Sequence, residues 1–283
     1  MNLFGSELAS VAYGLMSAAS WGAGDFSGGY STRRTPVLTV LILSQITGLV
    51  ALILFALAFG EPAPSRHDLL IGAAAGIVGD IGLAALYRAM AIGKMSIAAP
   101  LSAVLQGLLP VTFGIVTQGL PGGLTIFGFG LALVGVWLIS QPGSGHISSD
   151  GLGLALIAGM GFGGFLTLVA LLSDEALFWS LAVSRMASIT AMLILAFSMR
   201  RLAAPTGKYI PLIMFCGVMD VGGNVFFALA EEAGRVDVAS VLSSLYPATT
   251  VVLALVILKE RLTRWQGVGV LCAMTAIALI ATG

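Results

Sequence analysis

Two carboxylates, Asp80 and Asp220, stand near the middle of long apolar runs. An ionisable group is expensive to hold there and by default marks a functional position. Burial favours the neutral acid and a nearby cation favours the carboxylate. An aspartate facing a cavity that alternately wets can therefore take up and release a proton, and proton-coupled exchange is the chemistry this pair suggests. The plainer alternative is a static ion pair or hydrogen-bond cap, with Arg185, well inside another apolar run, and Arg88 as candidate partners.

Helical spacing adds neighbours. Asn224 follows Asp220 by four residues and Tyr87 follows Asp80 by seven, which puts each pair on one helix face. Gln106 and Tyr246 are further polar groups inside apolar runs that need partners in protein or cavity water; Gln45 is another, read as interhelical glue. In Trp21-Gly22-Ala23-Gly24-Asp25-Phe26, Trp21 either lines a cavity or packs against lipid, and Asp25 is either part of the interior or solvated at the interface. The predicted set for binding a small solute is Trp21, Asp80, Tyr87, Gln106, Asp220, Asn224 and Tyr246. Glu231, Glu232 and the run Lys259-Glu260-Arg261 fall at the ends of apolar runs and read as membrane-surface charges.

Signatures of catalysis are missing. His67 and His146 lie in polar connections with no partner at ligand spacing, and neither His-Glu-x-x-His nor Gly-x-Ser-x-Gly occurs. Gly161-Phe162-Gly163-Gly164-Phe165 sits inside an apolar run and cannot cradle phosphate. Cys216 and Cys272 also sit in apolar runs and read as packing residues, so neither a disulfide nor a metal site is expected. No catalytic residue, cofactor or metal enters the reading.

The elements that must position these side chains follow from composition. Of 283 residues 58% are hydrophobic and 9% charged, with a mean hydropathy of +1.03; a soluble domain carries roughly a quarter charged residues. In lipid the backbone must satisfy its own hydrogen bonds, and continuous apolar runs rather than two-residue alternation select helices over a barrel. Thirteen basic and thirteen acidic residues cancel, with no basic block to grip nucleic acid. A span needs about 20 apolar residues. Ten are predicted: 8–29, 36–59, 69–91, 96–117, 122–140, 151–172, 176–198, 209–230, 238–258 and 265–282. The first residues lack a basic signal-peptide region, so the first run is expected to stay as a span.

The longest polar interruption, 141–150, divides the chain into two halves, 1–141 and 142–283. Comparing each residue with the one 141 positions on pairs Gly22 with Gly163, Gly76 with Gly217, Gly82 with Gly223, Leu101 with Leu242 and Gly128 with Gly269, and the run boundaries repeat as well. In this register Asp80 and Asp220 fall one residue apart. Five spans per half is odd, so the second half enters from the opposite side. The predicted fold is an all-α membrane protein of ten helices, built as two inverted five-helix repeats around a central cavity, an arrangement that gives transporters two access states. Gly24 with Gly28, Gly72 with Gly76 and Gly159 with Gly163 are spaced for close helix contact. Pro100, Pro110 and Pro247 are candidate kinks. Lys and Arg concentrate in one set of loops, which by charge bias puts both termini outside.

Leu245-Tyr246-Pro247, the apolar run to Leu258, Lys259-Glu260-Arg261-Leu262-Thr263, then Gln266 and Gly269 closely resemble the repeat signature of the EamA-type transporters of the drug/metabolite transporter superfamily. The Trp21-Gly22 ending of the first run and the five-plus-five repeat are similar too. The first half departs from the pattern, with Gln118-Gly119-Leu120-Pro121 at the place of the Glu-Arg-Leu-Thr, which makes that motif a structural one. The resemblance implies a cavity lined by spans one to four and six to nine, with five and ten peripheral, and places both termini in the cytoplasm. It implies an exporter of amino acids, other metabolites or toxic compounds.

The expected function is a secondary active transporter exporting small metabolites such as amino acids by alternating access. The close alternative is multidrug-type efflux of hydrophobic cations by proton antiport. Expected partners are a small-molecule substrate and the lipid bilayer, with no nucleic acid. The chain is expected to work as a monomer, since both repeats are in it, in the cytoplasmic membrane of a bacterium.

Overall fold

Where water is absent, a helix is the one local structure that satisfies every backbone group within its own segment. The computed structural model describes residues 3–93, 95–106, 122–139, 149–169, 171–173, 176–198, 204–205, 207–233, 242–243 and 245–282, and among these every regular element is helical. In chain order they are α1 (Leu3–Ser31), α2 (Val37–Phe59), α3 (Arg66–Ile92), α4 (Met95–Gln106), α5 (Gly123–Ile139), α6 (Ser149–Val169), α7 (Leu177–Ser198), α8 (Ile210–Ala233), α9 (Tyr246–Ile257) and α10 (Arg264–Thr282). Segments within α2, α3, α6, α7 and α8 are long and apolar enough to cross a membrane, while α4, α9 and α10 appear as shorter apolar helices. The second half of the predicted fourth span, the start of the ninth, Pro110, Gln118 to Pro121 and His146 lie outside the described residues.

Local chemistry sets the boundaries. α2 stops at Gly60, whose φ of 67° is the left-handed conformation that glycine tolerates, and Glu61 N–H closes the turn on the Ala56 carbonyl at 3.0 Å. α3 opens on a capping box: Ser65 Oγ accepts from Asp68 N–H at 3.1 Å, and Asp68 Oδ2 accepts from Ser65 N–H at 3.3 Å. Pro100 lies inside α4 as expected. Pro247 sits in the first turn of α9, just after a turn at Leu245 that separates it from the helical residues Leu242 and Ser243.

The helices pair across the halves. α1 packs along α8 and α3 along α6; α7 is crossed by both α2 and α3, and α2 also meets α8. α4 packs on α6, α1 on α9, α4 on α9, and α5 on α10. Every one of these principal pairings joins a first-half helix to a second-half helix, and exchanging each helix n with n + 5 returns the same set.

Such pairing needs backbones close together, and glycine supplies the room. A methyl group on Gly76 would run into the Ser184 carbonyl, and one on Gly217 into that of Ser44. Gly24 lies against the Cys216 carbonyl, Gly72 against that of Ser180, and Gly28 against the Tyr87 ring. The outer surface is apolar, with Leu70, Phe197 and Val256 exposed, whereas Gln45, Asp80 and Ser184 are buried. This is the distribution expected of a protein whose surface meets lipid.

Gly76→Ala should push α3 off α7 and cost about 1–3 kcal/mol, the usual range for overpacking. Gly153→Ala, at a helical position with nothing within 4 Å of the added carbon, should be neutral or stabilising. Thermal-unfolding midpoints in detergent check the contrast, and equal midpoints would contradict it.

Candidate functional site

A charged side chain inside a span is retained only with partners. Asp80 on α3 and Gln45 on α2 are 3% and 2% exposed. The Gln45 amide nitrogen donates to Asp80 Oδ1, and its oxygen accepts from Arg185 Nη1 on α7. Arg185 Nη2 in turn pairs with Asp220 Oδ2 on α8. One chain of hydrogen bonds therefore runs Asp80, Gln45, Arg185, Asp220 through two helices of each half. Gln45 and Arg185 are 140 residues apart, as are Asp80 and Asp220, and each pair within a half spans 35 residues. The Gln45–Asp80 contact in the first half is thus repeated as Arg185–Asp220 in the second, with a neutral amide standing where the second half has a guanidinium. Asp80 Oδ2 has no hydrogen-bond partner among the described residues.

An aromatic and amide wall adjoins this chain. Trp21 Nε1 donates to the Asp220 carbonyl at 3.1 Å, and its ring lies 6.1 Å from Phe227 and 6.4 Å, edge-on, from Tyr246. Tyr246 O–H donates to Gln106 Oε1 at 2.8 Å, another pair 140 residues apart. Asn224 Nδ2 donates to the Asp220 carbonyl at 3.0 Å. All five side chains of this wall, Trp21, Phe227, Tyr246, Gln106 and Asn224, keep part of their surface uncovered.

Six of the seven predicted residues, Trp21, Asp80, Gln106, Asp220, Asn224 and Tyr246, therefore belong to one connected neighbourhood. Tyr87 is placed differently: it is 2% exposed, its hydroxyl meets Cys216 Sγ at 3.0 Å, and its ring fills the space left by Gly28. Cys216 thus does more than pack. Of the two cations proposed for Asp80, Arg88 is exposed, and Arg185 acts on Asp80 by charge attraction and through the hydrogen bonds of Gln45.

Asp25 is not a solvated interfacial charge. It is half-buried on α1, close enough to Asp220 and Tyr246 to interact with them electrostatically, and no hydrogen bond or ion pair holds it among the described residues. The sequence signal was present in Trp21-Gly22-Ala23-Gly24-Asp25, since Gly24 lets α1 approach Cys216 and Asp220 on α8.

Glu260 corrects another reading. It is a helix cap rather than a membrane-surface charge: Oε1 accepts from Met95 N–H and Oε2 from Ser96 N–H, each at 3.1 Å, Ser96 Oγ donates to Oε2 at 2.6 Å, and Arg33 pairs with Oε1 at 3.2 Å. Glu61 does the same for α7, accepting from Phe178 N–H and Trp179 N–H, each at 3.0 Å. Sequence reasoning missed Glu61, whose one signal is an acid directly after a helix-ending glycine. Hydrogen bonds to a charged acceptor contribute about 1.5–3 kcal/mol each.

Arg185→Ala would strand a buried amide and a carboxylate. Breaking a buried pair costs about 3–5 kcal/mol, and because 36% of the Asp220 side chain is uncovered the lower end is expected. The double variant Arg185→Ala, Asp220→Asn should recover part of that loss in detergent melts; no recovery would contradict the pairing.

The chain is similar to known proteins in two ways. Residues 150–282 match the model of the EamA-like transporter family. A solved crystal structure of a protein shares 16% identity with it at a TM-score of 0.66, covering 95% of each chain, a likeness that shows the fold alone. No curated protein matches the sequence. The matched family is one of small-molecule transporters, not known for enzymes, and its members work within a bilayer, in keeping with the apolar helices here. Residues 150–282 carry this match, to a family that lies within the drug/metabolite transporter superfamily.

Proposed function

We propose that this chain is a secondary active transporter that exports small metabolites, amino acids or similar solutes, by alternating access across the cytoplasmic membrane of a bacterium, working as a monomer. The observation that carries the reading is the chain of hydrogen bonds from Asp80 to Asp220. It lies where helices of the two halves meet, so a solute that rearranges it acts on both halves at once. The set of pairings unchanged by exchanging n and n + 5 supports two inverted repeats of 1–141 and 142–283.

The chemistry suits a zwitterion. An amino acid's carboxylate can replace Asp220 on Arg185, while its ammonium is taken by Asp220 and the unpaired Asp25. One internal ion pair is then exchanged for two with the solute, and Gln45 is freed to re-orient. Trp21, Tyr246 and Phe227 offer an apolar and π-rich surface for the side chain, with Asn224 and Gln106 as polar contacts. Tyr87 would join only if α1 moved off α3.

Charge favours a second reading. Asp25, Asp80 and Asp220 lie in one neighbourhood whose one guanidinium among the described residues is Arg185, paired with Asp220 and hydrogen-bonded toward Asp80 through Gln45. A site with an excess of carboxylates takes up protons or cations, and a hydrophobic cation would add cation–π contact with Trp21 and Tyr246. On this reading Asp80 carries the proton that leaves as the cation enters.

Proteoliposome counterflow with amino acids and with quaternary ammonium ions separates the two. The first reading predicts amino-acid flux that falls on the order of tenfold in Asp220→Asn, the equivalent of one charge-assisted hydrogen bond. The second predicts cation flux driven by a pH gradient and lost in Asp80→Asn. Flux whose pH dependence survives asparagine at both Asp80 and Asp220 would remove proton coupling, and no flux of either class would contradict both.

A further inference from the structure

The helix ends that meet around Glu260 form a strongly basic face. Arg33, just past α1, donates to the Glu260 carboxylate at 3.2 Å and to the carbonyls of Met90 and Gly93 at the end of α3, each at 3.5 Å. Tyr30, near the end of α1, lies edge-on at 6.4 Å from Tyr209 beside the start of α8, and the Lys208 ammonium stands 5.1 Å from the Tyr209 ring. Lys259, Arg261 and Arg264 follow between the end of α9 and the start of α10. Glu260 is itself shared with Met95 N–H, Ser96 N–H and the Ser96 hydroxyl, and the cation it balances is Arg33.

A cavity of about 470 Å³ opens in this face between the ends of α1 and α3, lined by Tyr30, Arg33, Arg34, Ala91 and Gly93. Among the described residues no carboxylate lines it. Its two guanidinium groups are not equivalent. Arg33 is committed to Glu260 and to the carbonyl end of α3, whereas the exposed Arg34 side chain has neither hydrogen bond nor ion pair among the described residues.

The outer side of α3 shows what kind of anion fits there. Leu70, Ile77, Ile81, Arg88 and Ile92 follow one another at intervals of seven, four, seven and four residues, which keeps them on one helix face, and all five are exposed. This is a stripe suited to hydrocarbon, and a single guanidinium interrupts it one turn before Ala91 of the cavity wall. Arg88 also has neither hydrogen bond nor ion pair among the described residues. A cation on a lipid-facing stripe extends its head toward the interface and is retained only with a partner. Arg88 stands four residues from the end of α3, about 6 Å of helical rise, so its side chain reaches the level of the headgroups.

We propose that the cavity between α1 and α3 binds the phosphate of one anionic phospholipid, with Arg34 and Arg88 as its ligands, Tyr30 at its rim and the acyl chains along the Ile92, Ile81 and Ile77 stripe. Guanidinium groups offer paired N–H donors that match phosphate oxygens, and basic pockets between membrane helices take such headgroups. A zwitterionic headgroup brings a cation of its own and gains less. The site lies apart from the central hydrogen-bond chain, so the proposal needs the chain to sit in a bilayer and does not depend on which solute it carries.

Native mass spectrometry of the detergent-purified chain, titrated with phosphatidylglycerol and with phosphatidylcholine, reads the ratio of the two affinities within each variant, so a general change in stability cancels. The wild-type chain should hold one phosphatidylglycerol in preference to phosphatidylcholine. Arg34→Gln and Arg88→Gln should each lower that preference on the order of tenfold, the equivalent of one charge-assisted hydrogen bond. Arg264→Gln, which removes the same charge from the same face outside the cavity wall, should leave it close to the wild-type value. A wild-type chain that does not distinguish the two lipids overturns the proposal, as does an equal fall in all three variants, which would mark a diffuse basic surface. Inorganic phosphate supplies the last arm: a melting midpoint raised as far by phosphate alone as by phosphatidylglycerol, and no longer raised in Arg34→Gln, would assign the cavity to a soluble anion and overturn the lipid source.

Discussion

The guanidinium of Arg185 sits among apolar helices with a neutral amide on one side and a carboxylate on the other, and that placement constrains the rest of the molecule. A charge of this kind cannot be left to hydrocarbon. α7 must therefore stay against both α2 and α8, the helices that bring Gln45 and Asp220. The adjoining contacts are close because Gly217 lets the α2 backbone approach α8 and Gly76 lets α7 approach α3. Asp80 joins through Gln45, so the position of α3 is tied to the same ion. The polar centre and the small-residue contacts are two aspects of one requirement, that first-half and second-half helices meet without water.

The same centre is unbalanced. Gln45 and Arg185 stand 140 residues apart, as do Asp80 and Asp220, yet the chain places an amide at the one position and a cation at the other. Asp80 keeps one oxygen without a partner, and Asp25 has neither hydrogen bond nor ion pair among the described residues. Groups left in that condition inside a membrane protein are a standing capacity to bind something charged, which connects the electrostatics to a transporter family. Asymmetry recurs at the periphery, where Glu61 caps α7 while α2 starts at Pro36 with no side-chain cap.

Much of this could be read in the sequence, because a polar residue in an apolar run is conspicuous. Asp80, Asp220, Asn224, Gln106, Tyr246 and the candidate cation Arg185 all stood out that way, and they lie in one neighbourhood. What depends on the third dimension did not show. Tyr87 lies on the same face as Asp80 by spacing, yet it points at Cys216 because Gly28 opens a place for its ring. The depth of Asp25 depends on how far α1 continues past it, and the helix runs to Ser31. Caps are the least legible feature, since Glu61 and Glu260 bond to main-chain N–H groups that carry no sequence signature at the receiving end.

The central claim is that Asp220 and its neighbours line a site reached alternately from the two faces of the membrane. Asn224→Cys, in a chain whose own cysteines are replaced, can be exposed to a membrane-impermeant maleimide from one side or the other of sealed, oriented vesicles. Labelling from either side, each suppressed when a transported solute saturates the site, is the predicted result. Labelling from one side only, whatever the solute, would contradict the account.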